Sequence, residues 1–514
     1  MTDKVGSFGN ESNLWQRSSS SVGVWYPLVS FASRNSAIHF GDTVSAAFPY
    51  GSVPLISIAS LSHKLLYYLT IKSKVMAKET IFETVHENVA GIDIGAEQIY
   101  VSPDGKEVTV FETFTSGYHA CGLYLKEKGI KKVAMEATGV YWIALYFLLE
   151  ELGMMVCLVN PKETKQVKGR KTDVKDCQWI QRLFTAGILR HSFIPEGKYM
   201  ELRMLVRERL DIIDMGSTYV SKMQKCLELM NIKLKEVISQ IHGASGIRMI
   251  KSILGGNRDS ASLLKLCDER IQKYKGEKVL KALEGSYNDT YLFMLQQNME
   301  LWEIHQNRIE KIDAKIAQLL DELSMDKEEV PTEETKRIRH HAPNIDGLHS
   351  TMARLYGVDL SSISGMNDYT VLRLIGETGV DMSRFPTAKH FIAWLCLAPK
   401  MHKSGKIKKN VRGTPCNPAG QIFKECAQGL MNSKFIAIGA FMRKLRGRKD
   451  SGIAIKAGAR KLALAYYNAL TKGMAYVEQG TKQYEEQIKR RELASLKKLA
   501  KKYNMQLVEN QIAA

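Results

Sequence analysis

Short apolar runs of β type open the ordered-looking part of the chain. VAGIDI, from Val89, reads as a strand; a short IYVS run, a Pro103-Asp104-Gly105 turn and EVTVFETF complete three consecutive strands joined by tight turns. The pattern then alternates between periods. A helix is expected around residues 116–128, a strand in KKVAMEAT, a helix in YWIALYFLLEELG, a strand in MMVCLVN, and a basic helix-forming segment to about Arg190. Residues 195–330 read as helical throughout. Within them LWEIHQNRIEKIDAKIAQLLDEL sets Ile309, Ile312, Ile316, Leu319 and Leu323 three and four apart, with charges between. That stripe fits a coiled-coil-like seam for self-association as well as it fits an amphipathic helix packed inside its own subunit.

Punctuation divides the rest. PTEETKRIRHHAPNIDG (331–347) is a polar linker, and a second globular unit follows, its helical segments interrupted by SISGMNDYT, APKMHKSGKIKKNVRGTPCNPAG and LRGRKDSG. EEQIKRRELASLKKLAKKYNMQL is a basic helix whose charges form a solvated face. Residues 1–75 are Ser-rich, poor in acids and without sustained periodicity, and Met76 opens the segment leading into the first strand. A disordered arm, or a non-native extension ahead of a start at Met76, is expected there. The expected organisation is 1–75 extension, 85–195 catalytic α/β domain, 196–330 helical region, 331–347 linker, 348–475 C-terminal domain and 476–514 basic helical tail.

Composition narrows the class of partner. A chain of 514 residues, 45% hydrophobic and 25% charged, is globular rather than disordered, with length for about three domains. Its net charge of +19 points to a polyanion, most simply nucleic acid, because displaced counterions drive such binding. The eight cysteines stand singly without a C-x-x-C pair, which suits reduced thiols in a cytosol and argues against a disulfide framework or zinc finger. The most apolar stretch, SVPLISIASLSHKLLYYLTIKSKV, is broken by Ser, His and Lys, so neither a signal peptide nor a membrane span is expected.

Three meandering strands followed by α-β-α-β-α is the order of an RNase H-like fold. It places Asp93 on the first strand, Glu136 at the end of the fourth, and Asp173 and Asp176 on the last helix, sharing a face at i, i+3. Carboxylates gathered in this way repel unless a cation compensates, and hard oxygen ligands suit Mg²⁺ or Mn²⁺; two such ions clamp a phosphodiester for displacement. Before the aspartate pair, Lys162, Lys165, Lys168, Arg170 and Lys171 crowd ten residues, where they would guide a nucleic-acid backbone toward the ions. Tyr141 and Trp142 follow Glu136 and suit either base stacking or core packing.

GIDIG, MEATGVYW and NPKETKQVKGRKTDVKDCQWI together resemble the DEDD catalytic domain of the IS110/IS1111 transposases, which is similar to RuvC resolvases. SSISGMNDYTVLRLIGETGVDMSRFPTAKHFIAWLCLAPKMHKSGK resembles that family's second domain; the likeness covers roughly 85–475. It implies that Asp93, Glu136, Asp173 and Asp176 are four metal-binding acids and that Ser404 is a nucleophile attacking the DNA backbone to form a phosphoserine. Lys403, Lys406, Lys408, Lys409 and Arg412 around that serine suit phosphate contact. The resemblance further implies guidance by a structured bridge RNA to donor and target double-stranded DNA. It also implies a prokaryotic, cytoplasmic, nucleoid-associated setting, and a homo-oligomer in which dimers form a tetramer pairing one subunit's acids with another's serine.

Three positions depart from the family pattern. Asn367 stands where a second glycine is common, Ser404-Gly405-Lys406 is one glycine short of SGGK, and PCNPAGQIFKECA replaces GN-x-x-LR, leaving its arginine without a counterpart. Two other functions fit part of the pattern. A RuvC-like junction nuclease would use metal-activated water without a covalent intermediate, and a nucleic-acid-packaging protein would use the charge but not the acids.

Overall fold

The computed structural model describes residues 83–164, 173–332, 341–399, 401–404, 407–410, 415–433 and 436–507, with backbone alone at 162, 401–404, 407–410, 480 and 481. The N-terminal extension, the Met76 start and residues 333–340 of the 331–347 linker lie outside the described residues. All described residues belong to one compact unit, Phe82–Ala514.

Alternation along five strands builds the first layer. β1 (Val89–Ile94), β2 (Gln98–Ser102), β3 (Thr109–Glu112), β4 (Lys132–Glu136) and β5 (Met155–Val159) form a sheet of order β3-β2-β1-β4-β5. The first three strands meander antiparallel, whereas β4 and β5 run parallel to β1. Parallel pairing needs crossovers, supplied by helices α1 (Thr115–Glu127) and α2 (Trp142–Glu151). Their Tyr118, Cys121, Leu125, Leu145, Tyr146 and Leu149 pack on Ala90, Ile92, Ile94, Val133, Met135, Val156 and Leu158. The alternate residues Val89, Ala134, Cys157 and Val159 face the other way. There a one-turn helix, α3 (Pro161–Thr164), is followed by α4 (Asp173–Thr185), whose Ile180 and Phe184 cover them.

The middle of the chain is helical, as its periodicity predicts. Two long helices, α5 (Lys198–Leu229) and α10 (Asp289–Ser324), pack along one another. Between them in sequence come α6 (Leu234–Val237), α7 (Ala244–Leu254), α8 (Ser260–Leu264) and α9 (Glu269–Ala282), which close a separate core around Met223, Leu234, Ile250, Val279 and Leu295.

The third core explains the isoleucine stripe. It is built by α11 (Leu348–Tyr356), a 3₁₀ turn (Leu360–Ser362), α12 (Asp368–Thr378), α13 (Ala388–Trp394), α14 (Pro418–Leu430), α15 (Ala437–Arg446) and α16 (Ser451–Lys472). Into it α5 sends Leu202 and Val206, and α10 sends Ile316, Leu319 and Leu320. Ile312 and Leu323 pack against the same core, and Ile309 is half-buried. The stripe is therefore spent inside its own subunit and offers no seam for self-association. Polar ties reinforce this joint. Arg203 donates to the Gly376 and Glu377 carbonyls, Arg207 holds the Glu377 carboxylate with two bonds of 2.8 and 2.9 Å, and Arg209 pairs with Asp313.

An antiparallel ribbon, β6 (Met401–Ser404) and β7 (Ile407–Asn410), interrupts the helices between α13 and α14. The final helix, α17 (Met474–Lys502), is exposed along most of its length, so its charges are solvated as expected. Among the described residues no helix is long and apolar enough to cross a membrane. None of the eight cysteines is in a disulfide; all but Cys396 and Cys416 are buried.

Candidate active site

Two strand ends and one helix start meet at the acids. Ile92 of β1 pairs with Met135 of β4 in parallel register, so the next residues, Asp93 and Glu136, come side by side where these strands end. Both alternate away from the Ile92 and Met135 face, toward the side that α4 covers. Gly91 shares that side and fixes the approach of the helix. A Cβ there would stand 2.3 Å from the Cys177 carbonyl oxygen and 2.4 Å from the Gln181 nitrogen. Only glycine lets α4 lie backbone against backbone on β1. Gln181 then donates to the Val89 carbonyl at 3.3 Å, and Gln178 to the Lys106 carbonyl at 2.7 Å, holding α4 to the sheet and its hairpin.

This contact brings the first turn of α4 over the end of β1. Asp93, Asp173 and Asp176 each offer a carboxylate oxygen within 4.8 Å of the others. Burial, then the charges of Asp176, Glu136 and Asp173, push the Asp93 carboxyl up from 3.8 to about 6. Asp173 and Asp176 stand in the first turn of α4, where the helix dipole favours carboxylates. The four acids thus form a pocket of excess negative charge, with oxygen donors only, on residues that already face one another. That is the donor set of a hard divalent cation.

Glu136 stands at the edge of this group and has its own support. Thr164, at the end of α3, donates its hydroxyl to the Glu136 carboxylate at 2.6 Å. Reasoning from the sequence missed Gly91, Thr164 and Gln181. The glycine was visible in GIDIG, but its need was not, because the helix that touches it lies far along the chain.

The other expected site residues fall elsewhere. Ser404 ends β6, paired with Ile407 across a two-residue connection, on a different element from the acids. This stretch, which the sequence pattern gives as an interruption between helical segments, is a ribbon, carrying Lys403 opposite Lys408 and His402 opposite Lys409. Its flanks are fixed: Asn417 donates to the Trp394 carbonyl at 3.2 Å and caps α14 through the Gly420 N–H at 2.8 Å. Lys162 belongs to α3, while Lys165, Lys168, Arg170, Lys171, Lys406 and Arg412 lie outside the described residues. Tyr141 is exposed, whereas Trp142 packs on the core with its ring edge-on to Tyr146. Asn367, where the family pattern favours glycine, caps α12 by accepting the Thr370 N–H at 2.8 Å.

Comparison with known families accounts for both halves of this arrangement. A family model described as a transposase, for the DEDD domain of IS110, matches residues 90–232, which include all four acids. A second, described as the transposase IS116/IS110/IS902 family, matches residues 359–432, which include the ribbon with Ser404. No curated protein matches the chain. With the acid-bearing sheet inside the first match and the serine ribbon inside the second, the chain belongs to the IS110 family of transposases, enzymes that catalyse DNA strand transfer.

Proposed function

We propose that this transposase exchanges DNA strands by combining a divalent-metal site at Asp93, Glu136, Asp173 and Asp176 with a nucleophilic Ser404. One observation carries the reading: three carboxylates from β1 and α4 converge within 4.8 Å while burial and mutual repulsion hold Asp93 near 6. Such a cluster costs free energy unless a cation offsets it. The four acids fit Mg²⁺ or Mn²⁺, which would draw charge from the scissile phosphate. On this reading the sheet with α1, α2 and α4 is an RNase H-like domain spanning about 85–195, and residues 348–475 form the serine-bearing domain.

The protein's own groups would then act as follows. The Ser404 hydroxyl gives up its proton as its oxygen attacks phosphorus, a P–O bond to the deoxyribose breaks, and the leaving oxygen takes up a proton, giving a protein-bound phosphodiester that a second strand's hydroxyl reverses. Lys403, Lys408 and Lys409, neighbours on the ribbon, would neutralise the phosphate during attack. The basic run Lys162, Lys165, Lys168, Arg170 and Lys171 joins the last acids to Glu136's support and would carry the DNA backbone in. The remaining charge would bind a structured guide RNA that selects donor and target, and a tetramer would pair acids and serine from different subunits.

Strand exchange measured on duplexes bearing the element's ends tests this. Ser404→Ala should lose both the protein–DNA adduct and exchange, and Asp93→Asn should lose exchange while keeping nucleic-acid binding. Cleavage that survives Ser404→Ala intact would favour hydrolysis by metal-activated water instead. RNA that co-purifies, and whose removal and return abolish and restore exchange, tests the guidance.

A further inference from the structure

Of the two strand-borne acids, Glu136 has the longer and freer side chain. It ends β4, has three side-chain torsions, and lies outside the group of three whose oxygens approach within 4.8 Å. Something else must choose its position. Thr164 is 8% exposed and its Oγ1 has two acceptors in reach, the Glu136 Oε2 at 2.6 Å and the Pro161 carbonyl at 3.0 Å. A hydroxyl has one proton, and the shorter bond to a charged oxygen claims it. Engaging Oε2 restrains the Glu136 side chain and leaves Oε1 outside that bond.

We propose that Thr164 is a positioning residue that holds Glu136 ready to ligate a divalent cation beside Asp93, Asp173 and Asp176. This rests on the metal-site reading of those acids. Partners of this kind that orient a ligand typically change metal affinity by about 10–100-fold when removed.

The test is Mn²⁺ binding to the full-length protein, followed by the electron paramagnetic resonance of the free ion, with no DNA present. Thr164→Val, which keeps shape and loses the hydroxyl, should weaken binding by roughly tenfold or more. Thr164→Ser should bind as the parent does. In a Glu136→Ala background, Thr164→Val should add nothing further, because the residue acts through that carboxylate. Melting without metal monitors folding; if the valine variant is unstable, Thr164→Ala, which also removes the hydroxyl, takes its place in both backgrounds with the same expected outcomes. Parent-like binding by a folded Thr164→Val, equal weakening by Thr164→Ser, or an undiminished valine effect without Glu136 would overturn the proposal. Asp93→Asn separates it from the reading beneath: unchanged Mn²⁺ binding there would remove the metal site itself, whereas lost binding there beside a silent Thr164→Val would remove the role of Thr164 alone.

Discussion

Gly91 on β1 lies so close beneath Cys177 on α4 that an added Cβ would stand 2.3 Å from the Cys177 carbonyl oxygen. That contact is with backbone, which cannot swing aside. Gly91→Ala must therefore push α4 off the sheet, at about 1–3 kcal/mol for overpacking. Asp173 and Asp176 ride on α4, so Mn²⁺ affinity should fall together with the melting temperature. A variant that melts and binds like the parent would show that the helix does not depend on this approach.

Asp93 gives a pH signature with a definite sign. Its carboxyl rises from 3.8 to about 6 in the folded protein, so the folded state holds the proton longer than the unfolded chain. Stability from this group is then full below about pH 4, falls between about 4 and 6 as the unfolded chain ionises first, and stays lower above. Without metal, Asp93→Asn should be more stable than the parent at pH 7.5 by on the order of 1–2 kcal/mol, after allowing for partial exposure. The gap should shrink at pH 5 and reverse in saturating Mn²⁺, which stabilises only a protein with its acids intact. Calorimetry at both pH values reads it; an equal gap at both would contradict the shift.

Asp313 should be among the costliest surface-remote acids to remove. It is 2% exposed, pairs with an Arg209 that is 1% exposed, and also accepts the Asn344 N–H at 2.8 Å. Asp313→Ala leaves a buried guanidinium without its carboxylate and frees the segment that leads into α11, at about 3–5 kcal/mol in urea unfolding. A loss under about 1 kcal/mol would mean that water reaches the arginine.

Gly420 guards the serine ribbon. Its added Cβ would meet the Leu395 carbonyl oxygen at 2.3 Å, where the chain enters and leaves β6 and β7. Gly420→Ala should reduce adduct formation by Ser404 while Mn²⁺ binding at the acids is unchanged. Equal loss of both would point to general unfolding.

Assembly in trans has a direct assay. Mixing inactive Asp93→Asn with inactive Ser404→Ala should restore part of the exchange, since some sites would join an intact acidic cluster to an intact serine. Absent complementation in proven mixed oligomers would assign each site to a single subunit.

Local pattern determined much of this protein. The three-strand meander, the alternation of helices and parallel strands, and the i, i+3 aspartates at a helix start are short-range properties, legible because side-chain period follows backbone geometry. The same pattern marked Asp93 and Glu136 as acids in apolar strands. Tertiary structure alone decided what touches what. The stripe with Ile316 and Leu319 has one periodicity whether it meets another subunit or its own core, and only folding assigned it to the core. Gly91 and Thr164 gain their roles from partners 86 and 28 residues away, Cys177 and Glu136, and no local rule reports such a meeting. The ribbon of Ser404 escaped because its basic, glycine-containing run lacks the apolar alternation that marks a strand; cross-strand pairing of the backbone defines it.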